Sequence, residues 1–211
     1  MVLQLSSKVD RGDYNSHVLS LDSDSNSLLS QFIDNGIKVE SLHVQKKIGS
    51  IFSAIARLHS YLKKNQISII HAHLYHALVL AGLTKCISPS LTIIWTSHSS
   101  HQTSLIRQLM VFLMRPMRKH DILFIEDMKT WYTKKRYSII PNGVELQKTK
   151  HDLKKYDTFT FISVGRLEPV KNHQLLVNIF YKLSHINCNL LRSEEHTSEL
   201  QSLAYLVCRL L

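Results

Sequence analysis

The segment GRLEPVKN sets Gly165, Arg166 and Lys171 close together, where a β-branched and aromatic run gives way to an amphipathic one. These residue types suit an anion. A glycine lets the backbone turn closely at a strand end. The Arg166 guanidinium offers a planar fork of donors matched to phosphate oxygens. Lys171 adds a point charge beside a helix N-terminus, where free N–H groups also favour negative charge. On spacing alone, Arg166 and Lys171 are more simply read as surface charges flanking a loop.

Histidine is the second chemical resource, with thirteen in the chain. His71 and His73 are two residues apart in ISIIHAH, so both point to one face of a strand. His73, at the strand end, is a candidate for a cleft position. His76 opens the next helix, and His98 follows the strand LTIIWTS at its carboxyl end. With His101, these invite a metal reading. However, a His-x-His pair on a strand is weak evidence, and no Cys, Asp or Glu neighbour completes a ligand set, so no metal is assigned. His71 and His101 read as ordinary polar residues at strand ends. Pro141-Asn142-Gly143 signals a turn, and a tight turn is all that its structure demands.

The elements that must position these residues alternate. Strands are expected over 15–21, 37–42, 67–73, 91–96, 121–125, 137–140 and 159–164, with another starting near Cys188. Helices are expected over 1–9, 28–35 with Gly36 as C-cap, 48–64, 77–86, 104–119, 127–135 and from Asn172 onward. In the 48–64 helix, Ile51, Ile55, Leu58 and Leu62 share a face. Strands alternating with helices imply an α/β fold with a parallel sheet, and ligands at the carboxyl ends of its strands.

Composition narrows the class. The 211 residues are 44% hydrophobic and 20% charged, enough to build a core. No apolar run is long enough to span a bilayer, and the N-terminus has no secretory pattern. Three scattered cysteines suit a reducing compartment. The net charge of +10 favours anionic partners. It is concentrated between 101 and 155, where twelve Lys/Arg face five Asp/Glu. Within that region SLIRQLMVFLMRPMRK (104–119) combines Leu105, Leu109, Phe112 and Leu113 with Arg107, Arg115, Arg118 and Lys119. It reads equally as a helix lying on an anionic membrane and as a buried helix with basic ends. A basic nucleic-acid-binding module is an alternative class, but zinc-finger spacing and aromatic RNA-binding signatures are missing, so no nucleic-acid partner is expected.

Three stretches carry a family resemblance: IIHAHLYHALVLAGL (69–83), YSIIPNGVEL (137–146) and FISVGRLEPVKNHQLLVNIFYKL (161–183). In this order and spacing the chain resembles the family-four type of retaining GT-B glycosyltransferases. The resemblance covers nearly all of residues 1–191, and the third stretch is its most specific part. It implies a GT-B fold: an acceptor-side Rossmann-like domain (1–147), a linker (148–157) and the start of a second Rossmann-like, nucleotide-sugar donor domain (158–191). It implies that Gly165, Arg166 and Lys171 bind the donor diphosphate. It also implies that His98 lies near the transferred sugar as a catalytic or sugar-contacting residue, and that His73, Asn142 and Gly143 lie near the cleft. The donor is then a nucleotide-diphosphate-sugar, a substrate rather than a cofactor, and no cofactor or metal is required. The acceptor is a glycan or a lipid-linked glycan, and the setting is polysaccharide or glycolipid synthesis, cytoplasmic and peripheral to the inner face of the membrane. A sugar-nucleotide epimerase of GT-B-like architecture is the alternative enzyme, and GRLEPVKN argues against it.

The chain departs from that pattern at both ends. The first strand with its glycine-rich loop is missing ahead of Met1, and no acidic E-x7-E motif is present. Residues 192–211, RSEEHTSELQSLAYLVCRLL, break the alternation. RSEEHTSELQS and LVCRLL back-translate to two parts of one sequencing-library adapter, with Leu203, Ala204 and Tyr205 where a variable index sits. The tail is therefore read as non-native, and the polypeptide by itself is expected to be inactive.

Overall fold

The computed structural model describes residues 2–10, 12–21, 26–44, 48–98, 104–143, 157–165, 169–183, 185–193 and 205–209. The chain divides into two units, one of residues 1–143 with 203–211 and one of residues 144–202.

In the first unit the elements run α1 (Val2–Ser7), β1 (Ser16–Ser20), α2 (Asn26–Asp34), β2 (Lys38–Ser41), α3 (Ile48–Lys64), β3 (Ile69–His73), α4 (Leu74–Ile87), β4 (Thr92–Thr96), α5 (Leu105–Leu113), β5 (His120–Leu123) and β6 (Tyr137–Ile139), with β9 (Tyr205–Arg209). The strands form one sheet in the order β2-β1-β9-β3-β4-β5-β6. β1–β2, β3–β4, β4–β5 and β5–β6 pair in parallel, whereas β9 runs antiparallel to both β1 and β3. β9 lies wholly within the stretch read as non-native.

Alternation along β1 divides the core. Val18 packs with Val2, Phe32 and Ile37, while Leu19 joins the larger cluster built by Ala54, Leu58 and Leu62 of α3, Leu78 and Ala81 of α4, and Ile70, Ile93 and Trp95 of the sheet. The sheet is thus covered on both faces, as parallel strands require. Helix α3 spans the expected residues, but Ile51 is partly exposed and Ala54 takes its place in the buried stripe. Gly36, at φ 68°, ends α2 in the left-handed conformation its C-cap position calls for.

Two expected helices differ. The 104–119 segment is α-helical only to Leu113; a 3-10 turn at Arg115–Met117 follows, because Pro116 has no N–H to continue the ladder. Over 127–135 only a 3-10 turn at Glu126–Met128 forms. The chain beyond it is held by distant partners: Arg118 Nη2 donates to the Tyr132 carbonyl at 2.8 Å, and the Lys134 N–H donates to Asp121 Oδ2 at 2.7 Å. Pro141, Asn142 and Gly143 leave β6 as exposed irregular chain, and Gly143 does not adopt positive φ. The edge strand runs out without the tight turn that the sequence suggested.

The second unit contains β7 (Phe159–Val164), α6 (His173–Lys182) and β8 (Cys188–Ser193), with β7 and β8 parallel. No residue of α6 is buried, and Phe159, Ile162 and Val164 of β7 are exposed. Two strands and one helix cannot enclose a core.

Candidate active site

The parallel register of β3 and β4 sets His73 opposite Thr96. The carboxyl ends of β3, β4 and β5 therefore open on one side, and the histidines gather there. His73 Nδ1 lies 3.0 Å from His98 Nε2. The His71 ring stacks at a tilt on His73, with centroids 4.2 Å apart, and its Nε2 meets Thr96 Oγ1 at 2.6 Å. Phe124, just past β5, presents its ring edge-on to His98 at 5.3 Å. His73 and His98, picked out separately in the sequence, form one hydrogen-bonded pair.

The environment fixes their charge. Burial pushes His73 down to about 2, helped by its histidine neighbours, and pushes His98 down to about 4. Both are neutral at neutral pH. A neutral pair shares one proton across the 3.0 Å contact. His73 Nε2 is buried with no partner among the described residues. An orphaned lone pair is tolerated better than an orphaned N–H, which favours the proton on His73 Nδ1, donated to His98 Nε2. His98 then carries its own proton on Nδ1, a donor available to a ligand hydroxyl or carbonyl.

Leu74, which sequence reasoning did not single out, contributes to the same corner. It follows His73 at φ 71° and opens α4. A leucine held there costs about 1–3 kcal/mol, and its side chain, packed against the main core, holds it in place. The strand-to-helix turn that aims His73 is thus strained. Leucine gives no sequence signature for such a turn. Thr96 and Phe124 were also missed, since only the sheet register brings them to the histidines.

Of the other expected residues, Asn142 and Gly143 are exposed at the end of β6, and among the described residues nothing lies within contact of a side chain placed at 143. His76 is pushed below the ordinary histidine range by burial and then by Arg107. Among the described residues no three His, Cys, Asp or Glu side chains are grouped to hold a metal ion, and none of the helices is long and apolar enough to cross a membrane. His101 lies outside the described residues.

In the second unit Gly165 directly follows β7. A side chain there would meet the Lys171 stem at 3.8 Å, so glycine and lysine face each other across the loop. Lys171 closes a 3-10 turn, and Asn172 caps α6 by accepting from the Leu175 N–H. The lysine therefore sits at the positive end of that helix, as expected. Arg166 lies outside the described residues.

The model of Glycosyltransferase Family 4 matches residues 1–148. Among curated proteins none matches the chain. Among solved structures the fold is similar to HepE of Anabaena in complex with UDP and glucose, with a TM-score of 0.59 at 16% identity over 85% of this chain. The chain spans 53% of HepE, about half its length. The parallel, Rossmann-like sheet is that of a GT-B glycosyltransferase fold.

Proposed function

Because the chain belongs to Glycosyltransferase Family 4, we propose that the protein transfers a sugar, with retention, from a nucleotide-diphosphate-sugar to a glycan or lipid-linked acceptor. The observation that carries this reading is the neutral His73–His98 pair at the carboxyl ends of β3 and β4, the end of a parallel sheet where ligands bind. In the reaction the bond from the anomeric carbon to the diphosphate breaks and its electron pair goes to the diphosphate oxygen. The acceptor oxygen forms the new bond on the same face, and its proton passes to the departing diphosphate. His98 is the catalytic residue, donating from Nδ1 to the sugar, and His73 is its positioning residue. Gly165, Arg166 and Lys171 hold the diphosphate and offset its growing charge. The reading needs no cofactor. HepE was solved with UDP and glucose, which supports a uridine diphosphate sugar as the first donor to try.

The assigned boundaries are an acceptor-side domain at 1–147, a linker at 148–157, a donor domain from 158, and a non-native tail at 192–211. Among the described residues β9 is the one antiparallel strand in an otherwise parallel sheet, which supports the last assignment. We place the protein at the cytoplasmic face of an anionic membrane. Leu105, Leu109, Phe112 and Leu113 of α5 are all exposed, which favours a membrane-facing helix over a buried one. A donor panel assayed for nucleoside diphosphate release by protein from the whole reading frame tests the activity, and a His98→Ala variant of it tests the site. Full activity in that variant would remove His98 from the mechanism.

A further inference from the structure

A cationic pocket lies at the opposite end of the sheet from His73 and His98. Arg115, Arg118 and Lys119 immediately precede β5, and Lys134, Lys135 and Arg136 immediately precede β6. Because β5 and β6 are parallel, the two segments meet at the amino ends of the strands, where they line one open pocket of about 390 Å³. The four residues of β5 put this pocket about 13 Å along the sheet from that strand's carboxyl end.

The pocket is built rather than a chance cluster of flexible charges. Arg118 is fully buried, bridged to Asp121 at 3.0 Å, stacked over Trp95 and bonded to the Tyr132 carbonyl. Lys134 Nζ is fixed on the Arg115 carbonyl at 3.0 Å. Asp121, the acid nearest the pocket, already serves Arg118 and the Lys134 N–H. The lining itself carries no carboxylate. Lys119, Lys135 and Arg136 have no side-chain partner among the described residues and are largely exposed. Lys134 is held below its usual range, by burial first and then by repulsion from Arg118. The wall is therefore short of negative charge, which a bound anion would supply.

We propose that this pocket binds a phosphate group, presented by the headgroup of an acidic membrane lipid. The planar forks of Arg115 and Arg136 suit phosphate oxygens. The lipid source follows from what adjoins it. Arg115 lies 5.3 Å over the Phe112 ring, and Phe112 packs on Trp131 at 5.2 Å. Both rings are exposed, as are Leu109, one turn before Phe112, and Leu113, next to it, on α5. An apolar face beside a phosphate pocket is what a lipid offers in one molecule, acyl chain and headgroup together. The proposal refines the membrane part of the functional reading and is independent of transfer chemistry, because its test contains no donor.

The test is co-sedimentation of the full chain with phosphatidylcholine vesicles, with and without phosphatidic acid, alongside calorimetric titration with inorganic pyrophosphate. The unaltered chain binds only the phosphatidic acid vesicles. Lys135→Ala/Arg136→Ala, both exposed positions outside the core, lowers that affinity about thirty-fold, since each cation near an anionic surface is worth about five-fold. A second variant, Lys119→Ala, weakens it without touching the buried pair. Binding of pyrophosphate but not of vesicles overturns the lipid source and leaves a soluble phosphate ligand. Vesicle binding that the variants do not change, or no binding of either probe, overturns the pocket.

Discussion

His73, the last residue of β3, and His98, two residues past the end of the parallel strand β4, share a hydrogen bond of 3.0 Å while burial holds both neutral. A neutral pair in this geometry cannot act as a cation beside a diphosphate. It can orient one imidazole and present one N–H, which fits contact with a sugar better than contact with phosphate. The two histidines should therefore fail differently. His98→Ala removes the presented donor and should lower kcat by about 10²-fold or more. His73→Gln keeps a hydrogen-bonding group beside His98 and should retain far more activity than His73→Phe. Equal losses in the two His73 variants would show that the ring only fills space.

The same burial makes the fold sensitive to acid. His17, His73, His76 and His98 are all held below their ordinary range, chiefly by burial. In the unfolded chain each takes up a proton near pH 6.5. In the folded state His98 stays neutral down to about 4 and His73 lower still. The unfolded state thus binds more protons below about pH 6.5, so stability rises with pH there. The contribution is complete above about 6.5 and is lost as pH falls toward 4. Urea midpoints should fall steadily across that window, and His73→Phe should flatten the slope. A slope unchanged in that variant would contradict the buried, neutral assignment.

Arg118 and Asp121 form an ion pair with no exposed side-chain surface. Removing one partner strands a buried charge. Asp121→Ala should cost about 3–5 kcal/mol by urea unfolding. Arg118→Met/Asp121→Leu should cost much less than the sum of the single changes. A loss below about 1 kcal/mol for Asp121→Ala would mean that the pair is solvated.

Helices α4 and α5 meet where Gly82 faces the Met114 sulfur, and a side chain at 82 would overlap it. Gly82→Ala pushes the flexible Met114 side chain aside and gains about 1 kcal/mol of helix propensity, so the first unit should lose less than about 1 kcal/mol net, and Met114→Ala in the same chain should cost less than it does alone. Additive losses would show that the two positions do not touch.

Local periodicity carried much of this fold. The 48–64 helix and the 159–164 strand lie where their patterns put them, because each has a face or a β-branched run that admits one conformation. Failures came where distant groups decide. Residues 127–135 are expected to be helical, yet Arg118 and Asp121 hold the backbone beyond Met128 out of a helix. The 104–119 helix failed for a local reason instead: Pro116, legible in the sequence, ends it before Lys119. In the site, His73 was found because it ends a strand, and His98 through the family resemblance, from its place just after β4. Their mutual contact depends on strand register, and the left-handed Leu74 has no sequence signal. The basic pocket was visible only as a charge surplus, since its two walls come from segments fifteen or more residues apart.

The transferase reading is most exposed to an assay of nucleoside diphosphate release. Protein from the whole reading frame would be supplied with a panel of nucleotide-diphosphate-sugars, uridine diphosphate sugars first, and compared with Arg166→Ala/Lys171→Ala. The account predicts release from at least one donor and its loss, with weakened donor binding, in the double variant. If no donor is bound or cleaved, or if the double variant binds and cleaves as well as the parent, the diphosphate is not held where we place it and the proposed function is wrong.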